Sequence, residues 1–133
     1  MAILGFLSLV YLLLSGDVIN GPALAGISTV VGFGAIGKHI KNCLPVMMGV
    51  ILAALLLNKD LSSTSIIISV LFSTTLAPIA GTYGSIMGLL AGILHMILVA
   101  NVGAIHGGVT LYNNGFAGGI VASVLIPVIS AFI

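Results

Sequence analysis

The residues best suited to bind a small molecule lie near the C-terminus, in a block from His106 to Gly119 that reads His-Gly-Gly-Val-Thr-Leu-Tyr-Asn-Asn-Gly-Phe-Ala-Gly-Gly. Tyr112, Asn113 and Asn114 directly precede an apolar run. Their side chains and the free N–H groups of a helix starting there could therefore meet at one point. Such a point offers donors to an anion or polar solute, and amide oxygens to a cation. A turn in which an asparagine caps the helix explains the same residues equally well.

His95 is the second candidate, because it lies ten residues into the apolar run 85–105. An ionisable side chain at that depth of a membrane helix usually faces the bundle interior or a water path. The alternative is a neutral imidazole that bonds to a neighbouring helix. No second His, Asp or Glu follows at helical spacing, so we predict neither a metal site nor a cofactor.

A second Asn-Gly pair, Asn20-Gly21, also leads into a glycine-rich apolar run and resembles Asn114-Gly115. Inverted repeats with broken helices are typical of transporters, so we expect Asn20 to join His95 and the C-terminal asparagines along one path. Asp17 stands just before this pair, where it either caps the helix or attracts cations to a pore mouth.

The elements that hold these residues are apolar helices in a membrane. No Asp, Glu, Lys or Arg occurs from Leu61 to the C-terminus, and the whole chain is 60% apolar and 4% charged, with a mean hydropathy of +1.40. As one helix, residues 61–133 would be about 110 Å long, against a hydrocarbon core of about 30 Å, so they must fold back on themselves. The formal charge of +1 gives no basic face for nucleic acid.

The apolar runs predict a single all-α membrane domain over 1–133, with five or six transmembrane or re-entrant helices. The segments are about 2–15, 18–37, 42–58, 62–80, 85–105 and 115–133. The second segment, 18–37, is predicted to be broken because it contains Pro22 and several glycines. A cluster of hydroxyls and a proline can kink the fourth: Ser73, Thr74, Thr75 and Pro78.

Gly84, Gly88 and Gly92 recur every four residues in the fifth segment. This small-xxx-small spacing predicts one face that lets another helix approach closely.

Orientation depends on three lysines. Lys38 and Lys41 lie at one end of the third segment, whereas Lys59 lies at the other end beside Asp60. Lys and Arg favour cytoplasmic loops, so the Lys38/Lys41 loop is predicted to be cytoplasmic and the Lys59 loop external. If the flanking segments cross fully, the Gly81–Gly84 turn is cytoplasmic and the block from His106 faces outward.

Two glycine-rich blocks resemble a family of bacterial polytopic membrane proteins. One is Gly32-Phe-Gly-Ala-Ile-Gly-Lys-His39, followed by Asn42 and Pro45-Val-Met-Met-Gly-Val50; the other is Leu111-Tyr-Asn-Asn-Gly-Phe-Ala-Gly-Gly119. The family is catalogued as a domain of unknown function, number fifteen seventy-six. The resemblance runs from about Asn20 onward and implies that the chain corresponds to a C-terminal half. The two Asn-Gly pairs favour half of an inverted-repeat, transporter-like fold. A bacterial inner membrane and a second copy or half-like subunit as partner follow from the same resemblance.

These patterns predict a permease or channel component for a small polar solute or ion. The competing hypothesis is a non-conducting assembly subunit whose Gly84/Gly88/Gly92 face docks on a partner helix. The sequence contains no nucleophile elbow, His-Glu-x-x-His motif or phosphate loop, so we do not expect an enzyme.

Overall fold

The computed structural model describes residues 1–16, 18–109 and 112–133, and their regular structure is helical. The helices are α1 (Ala2–Ser15), α2 (Gly21–Phe33), α3 (Ile40–Leu56), α4 (Thr64–Ser73), α5 (Ala77–Tyr83), α6 (Ser85–Ile105) and α7 (Asn113–Phe132). A 3₁₀ turn at Gly34–Ile36 extends α2, and another at Thr74–Leu76 joins α4 to α5 in one interrupted rod. The described residues therefore form six helical segments, which are called passes below.

Neighbouring passes alternate in direction. Asn20 Nδ2, at the start of α2, donates to Thr64 Oγ1 at the start of α4 over 3.0 Å. The Tyr83 hydroxyl, at the end of α5, bonds to the Ser130 hydroxyl near the end of α7 over 3.2 Å. Helices α2, α4–α5 and α7 therefore run the same way, and α1, α3 and α6 run back.

The two ends of the bundle are defined by their connections. The Lys59 end comprises the loop 57–63 and the starts of α2, α4 and α7. The Lys38 end comprises residues 37–39, Gly84 and the ends of α5 and α7. As predicted, the Gly81–Gly84 turn shares an end with Lys38 and Lys41, and residues 106–109 lie at the opposite end with Lys59. Asp17 and Thr110 lie outside the described residues.

Each predicted segment contains a helix, but the second is not broken where expected. Helix α2 continues through Gly26 and Gly32 and ends at Phe33. The 3₁₀ turn that follows it ends at Gly37, which has φ +101°. A glycine inside a helix keeps its N–H and its hydrogen bond, so it lowers helix propensity without breaking the ladder. The positive φ at Gly37 is a stronger stop because residues with a Cβ rarely adopt it.

The break that matters for the interior lies in the α4–α5 rod. Ser73, Thr74 and Thr75 each donate a side-chain hydroxyl to the carbonyl three residues earlier, over 2.7, 2.6 and 2.9 Å. Pro78 follows in the first turn of α5 and has no N–H for the helical ladder. The predicted distortion of this segment is present as the 3₁₀ turn.

Helices α3 and α6 make the closest crossing, and glycines on both permit it. A Cβ on Gly92 would overlap the carbonyl oxygen of Val46, and one on Gly49 would overlap the carbonyl oxygen of Leu89. A Cβ on Gly88 would overlap the side chain of α5's Ala80. Two of the three predicted packing glycines therefore do pack, but against helices of the same chain.

Gly84 does not belong to this packing face. It has φ +93°, and a Cβ there would meet nothing within 4 Å. The residue is needed for the reversal between α5 and α6, because a left-handed backbone conformation favours glycine. The four-residue spacing is therefore shared by two packing residues and one turn residue.

Three helices are long and apolar enough to cross a membrane: Thr64–Tyr83 (the whole α4–α5 rod), Ser85–Ile105 and Asn113–Phe132. Helices α1, α2 with its 3₁₀ extension, and α3 are shorter and apolar. In the most apolar window of α6, 33% of residues are buried, and in that of α7, 28%. Most residues of both helices are therefore at least partly exposed.

Candidate functional site

A cavity of about 450 Å³ lies between α4, α6 and the start of α7, toward the Lys59 end. Its apolar wall comes from α4 and α6, including Phe72 and Met96. Its polar wall is formed by Lys59, Ser65, Ser69, Tyr112, Asn113 and Asn114. A mainly apolar cavity with a few convergent polar groups is typical of small-molecule sites. We refer to it below as the asparagine cavity.

His95 lies behind this cavity and is fully buried, with 0% of its surface exposed. Its Nε2 is 3.2 Å from Asn114 Oδ1. Because an amide oxygen only accepts, Nε2–H is the donor, and a neutral ring then has a lone pair on Nδ1. That Nδ1 is buried and has no hydrogen-bond partner among the described residues.

Gly118 of α7 lies close to both His95 Nδ1 and the interrupted α4–α5 rod. A Cβ placed on Gly118 would lie 3.9 Å from His95 Nδ1 and 3.4 Å from Thr75 Oγ1. The imidazole and the Thr75 hydroxyl therefore flank the same backbone position of α7. A Cβ at this position would make ordinary van der Waals contact with both side chains.

Asn113 makes the equivalent contact with the loop before α7. Its Oδ1 is 2.7 Å from His106 Nε2, and His106 Nδ1 accepts a hydrogen bond from the N–H of Gly108 over 3.1 Å. The His106 ring also packs edge-on against Phe116, with 5.7 Å between ring centroids. Each of the two asparagines is thus oriented by a histidine.

The orientation of the asparagines leaves donors at the cavity wall. Both side-chain oxygens accept from histidine, while neither Nδ2 group has a hydrogen-bond partner among the described residues. Helix α7 begins at Asn113, so the N–H groups of its first turn also lack intrahelical acceptors. The polar wall can therefore donate to a solute, and the helix dipole adds partial positive charge there.

Residues 1–131 of the chain match the family model described as "Protein of unknown function (DUF1576)". The chain belongs to the DUF1576 family. The resemblance predicted from the glycine-rich blocks is thereby confirmed, and it extends to the first residue instead of beginning near Asn20. Neither a curated protein nor a solved structure matches the chain.

Asn20 does not join the asparagine cavity of this DUF1576 protein. Its Oδ1 accepts the N–H of Ala23 over 2.9 Å and its Nδ2 donates to Thr64, so the side chain caps α2. Both Asn-Gly pairs start helices at the same end, but only the pair at Asn114 faces the cavity. The capping interpretation therefore accounts for Asn20.

Tyr112 forms the rim of the cavity. Its ring packs edge-on against Phe72 with 5.5 Å between centroids. A Cβ on Gly115 would overlap this ring, which explains why glycine follows the two asparagines. Tyr112 precedes α7, and burial raises the pKa of its phenol above the ordinary value.

Lys38 was predicted only as part of a cytoplasmic loop, whereas in the structure its side chain is buried. Its Nζ donates to Thr74 Oγ1, in the 3₁₀ turn of the rod, over 2.9 Å. A second cavity, of about 440 Å³, opens beside it toward the Lys38 end and is also lined by Thr75. The sequence feature that could have indicated this burial is a lysine directly after an apolar segment, without an acidic neighbour.

No group of three or more His, Cys, Asp or Glu side chains in the described part of this DUF1576 chain is arranged to hold a metal ion. The chemistry that the two cavities offer comes from amides, hydroxyls, the neighbouring His95 imidazole and two ammonium groups, those of exposed Lys59 and buried Lys38.

Proposed function

We propose that this chain is an integral membrane permease or channel component that moves a small polar solute or ion through the asparagine cavity. The observation that carries this proposal is the hydrogen bond between the fully buried His95 and the partly buried Asn114. It joins a polar cavity wall to a histidine halfway along the 21-residue helix α6. A buried histidine at that depth is expensive in lipid and is usually retained for a polar path.

The arrangement of the two cavities supports a path through the bundle. Phe72 lines the asparagine cavity, and Thr75, three residues later on the same rod, lines the cavity beside Lys38. These two lining residues are about one turn, or roughly 5 Å, apart along the rod. That turn is the irregular 3₁₀ segment, where hydroxyls replace part of the regular helical ladder. Broken helices at the midplane are common in transporters.

A membrane location fits the surface of the bundle. The last pass exposes a row of large apolar side chains, including Val124, Val128 and Phe132, and α6 exposes Ile86, Leu90 and Ile97. We propose six crossings, of which α1, α2 and α3 are the short ones, in a bacterial inner membrane. With two lysines at one end and one beside Asp60 at the other, the Lys38 end is assigned to the cytoplasm.

The second candidate, a non-conducting assembly subunit, needs another docking face than the one predicted. Gly88 and Gly92 are covered by α5 and α3 of the same chain, so they are not available to a partner helix. Pairing with a second copy, or with a half-like subunit, remains compatible with transport. Since α2 and α7 run in the same direction, an inverted repeat would have to be completed by such a partner.

Thiol blocking tests the proposed path. Cys43 is buried and is the chain's one cysteine, so Cys43→Ala gives a background without thiols. In that background we place Ser65→Cys, on the cavity wall, or Ser62→Cys, an exposed serine three residues earlier that does not line the cavity. We expect a membrane-impermeant thiol reagent to reduce solute flux into proteoliposomes at least fivefold for Ser65→Cys and to leave Ser62→Cys unchanged.

The flux panel consists of nitrate, acetate, urea, potassium and a neutral amino acid. Labelling is quantified by mass spectrometry, so that the two variants are compared at equal modification. Equal flux of the modified Ser65→Cys and Ser62→Cys proteins would contradict a path through this cavity. Absence of flux for the whole panel, in protein shown to be folded, would favour the assembly subunit.

A further inference from the structure

Lys38 carries a charge that the described protein does not neutralise. The side chain is 9% exposed, its ammonium donates to Thr74 Oγ1, and it lies 4.7 Å from the centre of the Phe33 ring. An ammonium has three N–H donors, and the Thr74 bond uses one of them. A hydroxyl and an aromatic face stabilise a cation, but neither supplies a countercharge.

Asp60, the one acidic side chain among the described residues, is too distant to provide that countercharge. Asp60 lies in the loop at the opposite end of α3, a 17-residue helix about 25 Å long. Its exposed carboxylate accepts from the backbone N–H and the hydroxyl of Ser62, which lower the pKa of Asp60. Isolated buried charges are costly, so a buried ammonium is normally paired.

The cavity beside Lys38 has the volume and the polarity to supply the missing partner. It holds about 440 Å³ and is lined by Phe33, Ile36, Gly37, Asn42, Thr75 and Pro78 together with the lysine. Asn42 Oδ1 accepts the N–H of His39, and its Nδ2 donates to the carbonyl of Gly37 over 3.2 Å. The amide orientation thus leaves one N–H of Nδ2 for a ligand in the cavity that Lys38 also lines. Among the residues that line this cavity, none is acidic.

We infer that this cavity is an oxyanion site in which Lys38 binds a small singly charged carboxylate or inorganic oxyanion. The ammonium supplies the charge, the second N–H of the Asn42 amide supplies a hydrogen bond, and the Phe33 ring closes one side. A free anion and the phosphodiester of an anionic lipid offer the same chemistry, and the cavity opens at the Lys38 end, where either can enter. The inference does not require that the asparagine cavity conducts.

Ligand-dependent stability tests this site. The purified, delipidated protein in neutral detergent is heated with increasing sodium acetate or sodium nitrate, at ionic strength held constant with sodium chloride, whose anion is not an oxyanion. A ligand that binds the folded form raises the unfolding midpoint in a saturable way. We expect this rise in the wild type and in Lys41→Met, an exposed lysine in the same region, and its loss in Lys38→Met.

Lys38→Gln provides a second neutral variant, because glutamine retains a donor for Thr74 if methionine prevents folding. A lipid arm repeats the measurement in nanodiscs of phosphatidylcholine with and without phosphatidylglycerol. A Lys38-dependent rise with phosphatidylglycerol, and not with free acetate or nitrate, would identify the bound oxyanion as a lipid headgroup. The proposal is overturned if neither arm produces a rise, or if the rise is as large in folded Lys38→Met or Lys38→Gln as in Lys41→Met.

Discussion

Replacing Gly92 with alanine is expected to destabilise the bundle by about 3 kcal/mol, the upper range for overpacked cores. The added Cβ would overlap the carbonyl oxygen of Val46, and backbone atoms cannot rotate away as a side chain can. Helices α3 and α6 would have to separate along their closest crossing. Thermal unfolding of the detergent-solubilised protein, followed by circular dichroism, measures the effect.

Gly103→Ala is the matched control, since it makes the same substitution on the same helix. A Cβ there would meet nothing within 4 Å. Alanine favours helix over glycine by up to about 1 kcal/mol, so the unfolding midpoint should stay the same or rise. The two substitutions are thus expected to have opposite signs. A Gly92→Ala midpoint equal to that of Gly103→Ala would disprove the close α3–α6 crossing.

The second large effect is expected at His95. His95→Leu keeps a similar volume but removes the donor to Asn114 Oδ1, which then lies partly buried without its partner. The unpaired acceptor would reorient the asparagine, at a cost of about 1–3 kcal/mol, and the polar wall would lose its alignment. We expect solute flux in proteoliposomes to fall at least tenfold, while the protein still inserts and remains monodisperse.

His95→Gln separates the hydrogen bond from the imidazole itself. Glutamine carries an amide N–H₂ group that can donate to Asn114 Oδ1, so flux should recover to within about threefold of the wild type if the bond is what matters. Flux as low as that of His95→Leu would assign a role to the imidazole ring instead. Undiminished flux in folded His95→Leu would remove His95 from the path.

Much of the helical organisation is predictable, because it depends on local composition. Apolar runs separated by turn residues give all six passes, and the hydroxyls before Pro78 indicate the irregular turn in the fourth. The second pass is less well predicted. Glycine content suggested repeated breaks, whereas only the position that needs a positive φ, Gly37, stops the helix.

The contacts between helices are less predictable, because they depend on which elements become neighbours. The spacing of Gly88 and Gly92 indicates a close approach, but nothing local says that the partner is Gly49 of the same chain. His95 and Asn114 were both candidates from the sequence, and their hydrogen bond joins them across 19 positions. Asn20 resembles Asn114 in its sequence context, but its side chain forms its hydrogen bonds at the start of α2, where it caps that helix.

The burial of the Lys38 charge is also unpredictable from local sequence. A lysine in a short loop is normally assigned to the headgroup region, and the orientation rule treats it as exposed. Here the 3₁₀ turn of the α4–α5 rod places Thr74 within reach of the ammonium, and the surrounding side chains bury it. A contact between residues 38 and 74 has no local sequence signature.

The central claim is that the asparagine cavity is a solute path, and Asn114→Leu tests it most directly. Asn101→Leu is the control, because Asn101 is exposed on α6 and donates to the Ile97 carbonyl of its own helix. Both proteins are reconstituted at equal density and compared with the wild type in the same flux panel. We predict saturable flux in the wild type and Asn101→Leu that falls at least tenfold in Asn114→Leu. Equal flux in the two variants, with Asn114→Leu shown to be folded, would contradict the account.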